Sequence, residues 1–283
     1  MSKQAEKKIP ILMYHSISYS SHPKFERMIV SPMLFEKQMA YLSEHQYTPM
    51  TVTQLMLART EEGHVWPEKP VIITFDDGFA DFFTNALPIL KKYALPATLY
   101  IATAFVNGTS RWLHREKETM RRMLTWEQVS EISANGIECG AHTQTHPQLD
   151  TMSVSQARQE IELSKKILEE HLKQEILSFA YPFGYHTTRV QQLVREAGFL
   201  SACAVKYAMS TENDDPFALA RLMAENMSEE DFAARLAGYE AAPNTAMNTL
   251  YAQVRRFGWR QVRRSTVAIE KRLSTKREEV LTE

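Results

Sequence analysis

The sequence predicts an α/β protein, a distorted (β/α)7-8 barrel in a single domain with a helical C-terminal extension. Three observations carry this. Short apolar, β-branched runs alternate with amphipathic helical segments about seven times, the pattern of a parallel sheet with helical crossovers. Four of the runs end in polar or turn residues: His15, Asp76-Asp77, His142 and Tyr181-Pro182-Phe183-Gly184. In such barrels the C-terminal strand ends form the active face. The length of 283 residues is ample for one barrel core.

The elements follow in order. Ile9 to His15 is a first strand, and Ser16 to Ser31 is polar and loop-like. Ser31-Pro32 starts a helix with Ser at the N-cap, and Leu34, Phe35, Met39 and Leu42 keep a 3.6-residue period. A short helix opens at Thr51 and ends before Gly63. Val71 to Thr74 is a buried strand, Phe82 to Tyr93 an amphipathic helix containing Pro88, and Ala97 to Ala102 the next strand. Asn107 to Met123 is an irregular insertion. Thr125 caps a helix that stops at Asn135-Gly136. Strands at Ile137–His142, Ile176–Tyr181, Phe199–Val205 and Phe217–Met223 alternate with helices at Ser153–His171, Thr187–Ala197 and from Ser228 to near Gly238. The barrel domain is therefore assigned to residues 1–240, and 241–283 to a basic helical extension.

Composition excludes several classes. A hydrophobic content of 44% and a charged content of 24% are those of an ordinary globular protein. A net charge of −1 gives no global drive toward nucleic acid, and no nucleic-acid partner is expected. Cys139 and Cys203 lie in strand-like runs and read as buried free thiols. The polar N-terminus leads into only a five-residue apolar run, Ile9 to Met13, too short for a signal-peptide core. With Met1 as the natural start, a cytoplasmic location is expected. The basic C-terminus, with Arg255, Arg256, Arg260, Arg263 and Arg264, allows peripheral contact with an anionic membrane or a membrane-bound glycosyltransferase.

Two side-by-side acids at a strand end repel one another unless a cation or shared proton compensates. His142-Thr143-Gln144-Thr145-His146 supplies the complement. Two imidazoles four residues apart on one helical turn project side by side and suit two-point coordination. Two His and one carboxylate leave open positions on an ion, which is catalytic rather than structural in character. Zn2+ is the first expectation, with Co2+, Ni2+, Mn2+ or Fe2+ also compatible. If one Asp ligates, the other is free as a general base.

These residues resemble the polysaccharide deacetylases of carbohydrate esterase family 4. Thr74-Phe75-Asp76-Asp77-Gly78 matches the first family motif, His142-Thr143-Gln144-Thr145-His146 the second, and Phe179-Ala180-Tyr181-Pro182-Phe183-Gly184 resembles the third. The resemblance runs from roughly Ile9 to Leu236. It implies metal-dependent hydrolysis of N-acetyl groups on an N-acetylhexosamine glycan or its biosynthetic intermediate. It assigns Asp76 as the base, Asp77, His142 and His146 as metal ligands, and the Phe183 N–H as an oxyanion donor. Leu12-Met13-Tyr14-His15 and Phe-Ala-Tyr-Pro are similar to the subgroup acting on poly-N-acetylglucosamine, which implies His15 as the acid. Tyr14, Tyr181 and Trp112 are expected to contact substrate.

The departures are as specific as the matches. Ala180 stands where the third motif usually has the Arg that orients the base; Arg189 or Arg221 is the candidate substitute. The usual Asp-x-x-x-Trp and Leu-x-x-His segments have no counterpart. Two other readings follow: an amide or ester hydrolase with a non-sugar substrate, or a degenerate, non-catalytic glycan-binding subunit of a synthesis complex. The cations Arg111, Arg115, Lys117, Arg121 and Arg122 of the insertion read as a solvated loop or as a rim for an anionic glycan. Trp126 reads as core.

Overall fold

A computed structural model describes residues 8–60, 66–205, 208–225 and 227–241. Eight short strands form one parallel sheet: β1 (Ile11–Tyr14), β2 (Thr48–Met50), β3 (Pro70–Phe75), β4 (Thr98–Ile101), β5 (Glu138–Ala141), β6 (Ser178–Ala180), β7 (Ser201–Cys203) and β8 (Leu222–Met223). Their spatial order is β7-β6-β5-β4-β3-β1-β8, with β2 beside the first half of β3. One segment closes the ring. The Leu219 N–H donates to the Ala202 carbonyl at 3.0 Å on the β7 side, and Leu222 and Met223 pair with Leu12 and Met13 of β1. The predicted barrel is present.

Strand alternation divides the apolar residues into two layers. Leu12, Tyr14, Val71, Ile73 and Phe75 face outward into the helix-covered core. Ile11, Ile72, Tyr100, Ala180 and Cys203 fill the barrel interior. Cys139 and Cys203 are buried free thiols, and burial pushes them up to about 12 and about 11.

The helices start where the sequence places their caps. They are α1 (Pro32–Glu44), α2 (Val52–Thr60), α3 (Leu87–Lys92), α4 (Trp126–Ala134), α5 (Val154–Leu172), α6 (Thr188–Glu196) and α7 (Glu229–Ala241). Ser31, Thr125, Ser153 and Thr187 each accept a backbone N–H at the N-terminus of their helix, and Thr125 and Ser153 form full capping boxes. Val190, Leu193 and Val194 are the buried stripe of α6; burying such side chains contributes about 1.5–3 kcal/mol each.

Several local expectations change. The predicted strand Phe217–Met223 is a 3-10 turn at Pro216–Ala218 followed by a strand of only Leu222–Met223. The single helix from Phe82 to Tyr93 is a π-helical turn over Phe82–Ala86 followed by α3. Pro88 lacks the N–H that would bond Thr84, so regular α-helix cannot run through it. β2 went unseen because Pro49 interrupts a three-residue strand; it pairs only with β3. Among the described residues no helix is long and apolar enough to cross a membrane. The predicted extension, 241–283, lies outside the described residues apart from Ala241 at the end of α7.

Candidate active site

The site begins where β3 ends. The Asp76 N–H donates to the Tyr14 carbonyl at 2.9 Å, so Asp76 keeps the strand register and faces inward with Thr74. Continuing the strand would turn Asp77 outward. Instead Asp77 has φ 76° and Gly78 φ 85°, and this left-handed pair swings the second carboxylate onto the same face. Gly78 suits that conformation because a Cβ there would be strained.

The two histidines come from the loop after β5. The His142 N–H donates to the Ile101 carbonyl at 3.1 Å, and its Nδ1 donates to the Ala180 carbonyl at 2.8 Å, leaving Nε2 bare. Residues 142–146 are not the expected helical turn. Thr143 (φ 65°) and His146 (φ 57°) are left-handed, and the His146 N–H donates to Thr143 Oγ1 at 3.0 Å. Glu160 of α5 holds this loop: its carboxylate accepts from the Gln144 and Thr145 N–H groups at 3.0 and 2.7 Å and from Thr145 Oγ1 at 2.6 Å.

Asp77, His142 and His146 each offer a ligand atom, and these atoms lie within 4.8 Å of one another. His146 Nε2 stands 3.1 Å and His142 Nε2 3.5 Å from Asp77 Oδ1. Yet this buried oxygen has no hydrogen-bond partner among the described residues. Donor atoms this close without hydrogen-bond alignment converge on a common point rather than on each other. The donor set fits a divalent cation such as Zn2+. Burial, opposed by the Asp77 charge, lowers His146 and keeps a neutral imidazole; burial opposes ionisation of Asp77, but His146 and His142 hold it below the usual carboxylate range.

Asp76 is held separately. Arg221, fully buried, donates to both its oxygens at 2.7 Å and also to Thr74 Oγ1 and the Ala204 carbonyl. Burial works to raise Asp76, but the Arg221 charge outweighs it and the carboxyl is lowered. Arg221, one of the two candidates, thus takes the place that Ala180 cannot fill. Arg189 is exposed on α6 and bonds Gln192.

His15 stands at the end of β1. Its Nδ1 donates to Glu225 Oε1 at 2.6 Å. Burial disfavours both charged forms, raising Glu225 and by itself lowering His15. For His15 the Glu225 contact prevails, helped by Asp77 and Asp76, and the imidazole is raised to about 9. Glu225 and Glu160 were missed in the sequence. Glu225 had a signal: Arg221 and Glu225 are the charges in the otherwise apolar run Ala218 to Glu225. Glu160 had none, since acids are ordinary on a helix.

Phe183 sits in the turn after β6 with φ 60°. Its N–H has no acceptor among the described residues. A Cβ at the next residue, Gly184, would come within 2.5 Å of the Val205 backbone, so only glycine closes this turn. The Phe183 ring lies 4.8 Å and the Trp112 ring 5.1 Å from His146, so both wall the site. Tyr14 and Tyr181 do not. Both are fully buried on the outward face; Tyr14 donates to Gln38 and Tyr181 to the Phe217 carbonyl. Strand parity excludes them, since His15 and Ala180 take the inward positions. Trp126 stacks on His171 at 3.7 Å, away from the centre.

Fold and site define a metal-dependent hydrolase: a cation centre at the strand C-termini, a separately held carboxylate, and an imidazole–carboxylate pair. The sequence profile of the family described as polysaccharide deacetylase matches residues 64–202. The chain is 29% identical over 231 residues to Bacillus subtilis YxkH, a protein named for that family, covering 80% of this chain and 75% of the relative. It is 25% identical over 236 residues to the poly-beta-1,6-N-acetyl-D-glucosamine N-deacetylase of Staphylococcus aureus (strain COL), covering 80% and 78%. The fold superposes on the Streptococcus pyogenes deacetylase PplD, solved with acetate, with a TM-score of 0.71 at 28% identity, covering 82% of this chain and 99% of that one. The chain is thus similar to polysaccharide deacetylases over about four fifths of its length, and the enzyme class these likenesses support is carbohydrate N-deacetylase.

Proposed function

We propose that this protein hydrolyses the N-acetyl group of an N-acetylhexosamine in a glycan or a glycan precursor. One observation carries the reading: the Asp77-His142-His146 centre lies beside a carboxylate fixed by Arg221 and an imidazole fixed by Glu225. The likeness to a poly-N-acetylglucosamine N-deacetylase supports the sugar class.

Asp77, His142 and His146 would hold a divalent ion, proposed as Zn2+; when bound, it supplies Lewis-acid polarisation of a carbonyl and lowers the pKa of water. Asp76, ionised by its Arg221 partner, takes a proton from water as the water oxygen adds to the acetyl carbonyl carbon. The Phe183 N–H donates to the developing oxyanion. His15, protonated and stabilised by Glu225, gives its proton to the departing nitrogen as the C–N bond breaks. Acetate and a free amine result. Phe183 and Trp112 wall the site and present aromatic surface to the sugar.

The test is acetate release from N-acetylglucosamine oligomers with and without a chelator. Release that stops on chelation and returns with Zn2+ is expected; no release from any N-acetylated sugar by metal-loaded protein rejects the reading. The proposed peripheral contact with membrane or a glycosyltransferase rests on the basic residues beyond 241.

A further inference from the structure

The lip beside the catalytic strand ends holds a feature the hydrolytic steps do not use. A groove of about 560 Å3 runs between Ser18, Ser20 and Ser21 on one wall and residues 117–122 of the insertion on the other. Its place follows from the backbone. Ser18 is three residues past His15, which limits their Cα separation to roughly 11 Å. Opposite, the Ala80 N–H donates to the Arg122 carbonyl at 3.0 Å, three residues past Asp77. The groove therefore flanks the reaction centre.

Its charge stands apart from the rest of the chain. Residues 107–123 hold Arg111, Arg115, Lys117, Arg121 and Arg122 against Glu116 and Glu118, in a protein of net charge −1. Arg121 is turned inward: it meets Asp81 at 3.2 Å and Glu118 at 3.4 Å and lies 5.0 Å from the centre of the Phe25 ring. That also occupies the Glu118 carboxylate, the one acid lining the groove. Lys117 and Arg122 are exposed and, among the described residues, their side chains have no hydrogen-bond or ion-pair partner. Two uncompensated cations thus face hydroxyl groups across an open groove. Ser18 and Ser21 donate their hydroxyls to the Ser20 and His22 carbonyls, so an anion on a polymer would find there two cationic side chains together with the exposed Ser20 hydroxyl.

We infer that this groove is a subsite for an anionic group, phosphodiester or carboxylate, carried by the glycan on or next to the sugar being deacetylated, with Lys117 and Arg122 as its cationic contacts. The inference rests on the N-deacetylase reading and extends that site. Its test compares acetate release from three size-matched N-acetylated oligosaccharides: one neutral, one with a uronic acid, one with a phosphodiester. Wild type and a Lys117→Gln/Arg122→Gln double variant are assayed, with circular dichroism verifying the fold.

For at least one acidic oligosaccharide, KM in low salt is expected to lie about five- to tenfold below that of the neutral one, the worth of two partly solvated charge contacts. The preference should fade at high ionic strength. In the double variant the acidic KM should rise to the neutral value with kcat unchanged, and the arm that responds identifies the group. Equal KM values for all three substrates, or a variant that affects all alike, overturns the subsite. If wild type releases no acetate from any of them, the deacetylase reading fails instead. Calorimetric binding of the acidic oligosaccharides then decides the subsite alone: binding lost in the double variant supports it, and equal binding overturns it. Variant-sensitive binding to anionic vesicles, with no preference among the oligosaccharides, also overturns it.

Discussion

Arg221 and Glu225 set the protonation states at the centre, and each gives a prediction. With Arg221 in place Asp76 is lowered, so its ion pair stabilises the fold above the ordinary carboxylate value of 3.8 and is lost as pH falls through the folded value. Arg221→Lys keeps a charge but loses the two-pronged grip. It should lower kcat about tenfold to a hundredfold, the scale of one misaligned proton-transfer group, and move the acid limb of the kcat/KM profile to higher pH. Arg221→Met should in addition cost about 3–5 kcal/mol in urea unfolding, because it strands a buried carboxylate. His15 has the opposite sign. Its raised value gives stability that is full below 6.5 and lost as pH rises through about 9. Glu225→Gln should shift the alkaline limb of the pH–rate profile downward from wild type; an unmoved limb would detach Glu225 from the acid. At this scale the motifs point to the groups proposed to react but not to what holds them, because Arg221 and Glu225 reach Asp76 and His15 across 145 and 210 positions. Tyr14 and Tyr181 misled for a simpler reason: neighbours on a strand face opposite ways.

At the scale of elements, the His142–His146 loop shows how a helix tunes a site it does not line. The i, i+4 spacing suggested a helical turn, yet left-handed residues at Thr143 and His146 bend the loop so that both imidazoles meet Asp77. That backbone persists because Glu160 satisfies two loop N–H groups and one hydroxyl from α5. Glu160→Ala should therefore weaken Zn2+ binding about 10- to 100-fold, as loss of a group supporting metal ligands does, while far-UV circular dichroism stays native. Isothermal titration with Zn2+ measures this, and unchanged affinity would make Glu160 a surface cap only. Helix boundaries were legible because Ser31, Thr125, Ser153 and Thr187 announce them chemically. The turn at Phe82–Ala86 was not, since a single proline distinguishes a broken helix from an intact one only through its surroundings.

At the scale of the whole molecule, the proposed cation site and the barrel's closure are built on the same strand ends. Asp77 follows β3 and the histidines follow β5, with β4 between them; Arg221, just ahead of β8, anchors Asp76 where the ring closes on β1. The alternation of apolar runs and helices made the barrel legible, and the predicted strand Phe217–Met223 contains the closing strand, of which only Leu222–Met223 pairs with β1. The three ligands come together only in the folded chain, so a cation that binds there raises stability by mass action. At a Zn2+ concentration a hundred times the dissociation constant, the gain is about 2.7 kcal/mol. For a domain of this size that corresponds to a rise in Tm of roughly 5–10 °C, read by calorimetry of metal-stripped and Zn2+-loaded protein. Asp77→Ala should abolish the rise. Asp76→Asn should keep it, because Asp76 is bound to Arg221 rather than to the cation, and should still release no measurable acetate. A rise lost equally in both variants would mean that both carboxylates bind the ion, and the division between ligand and base would fall.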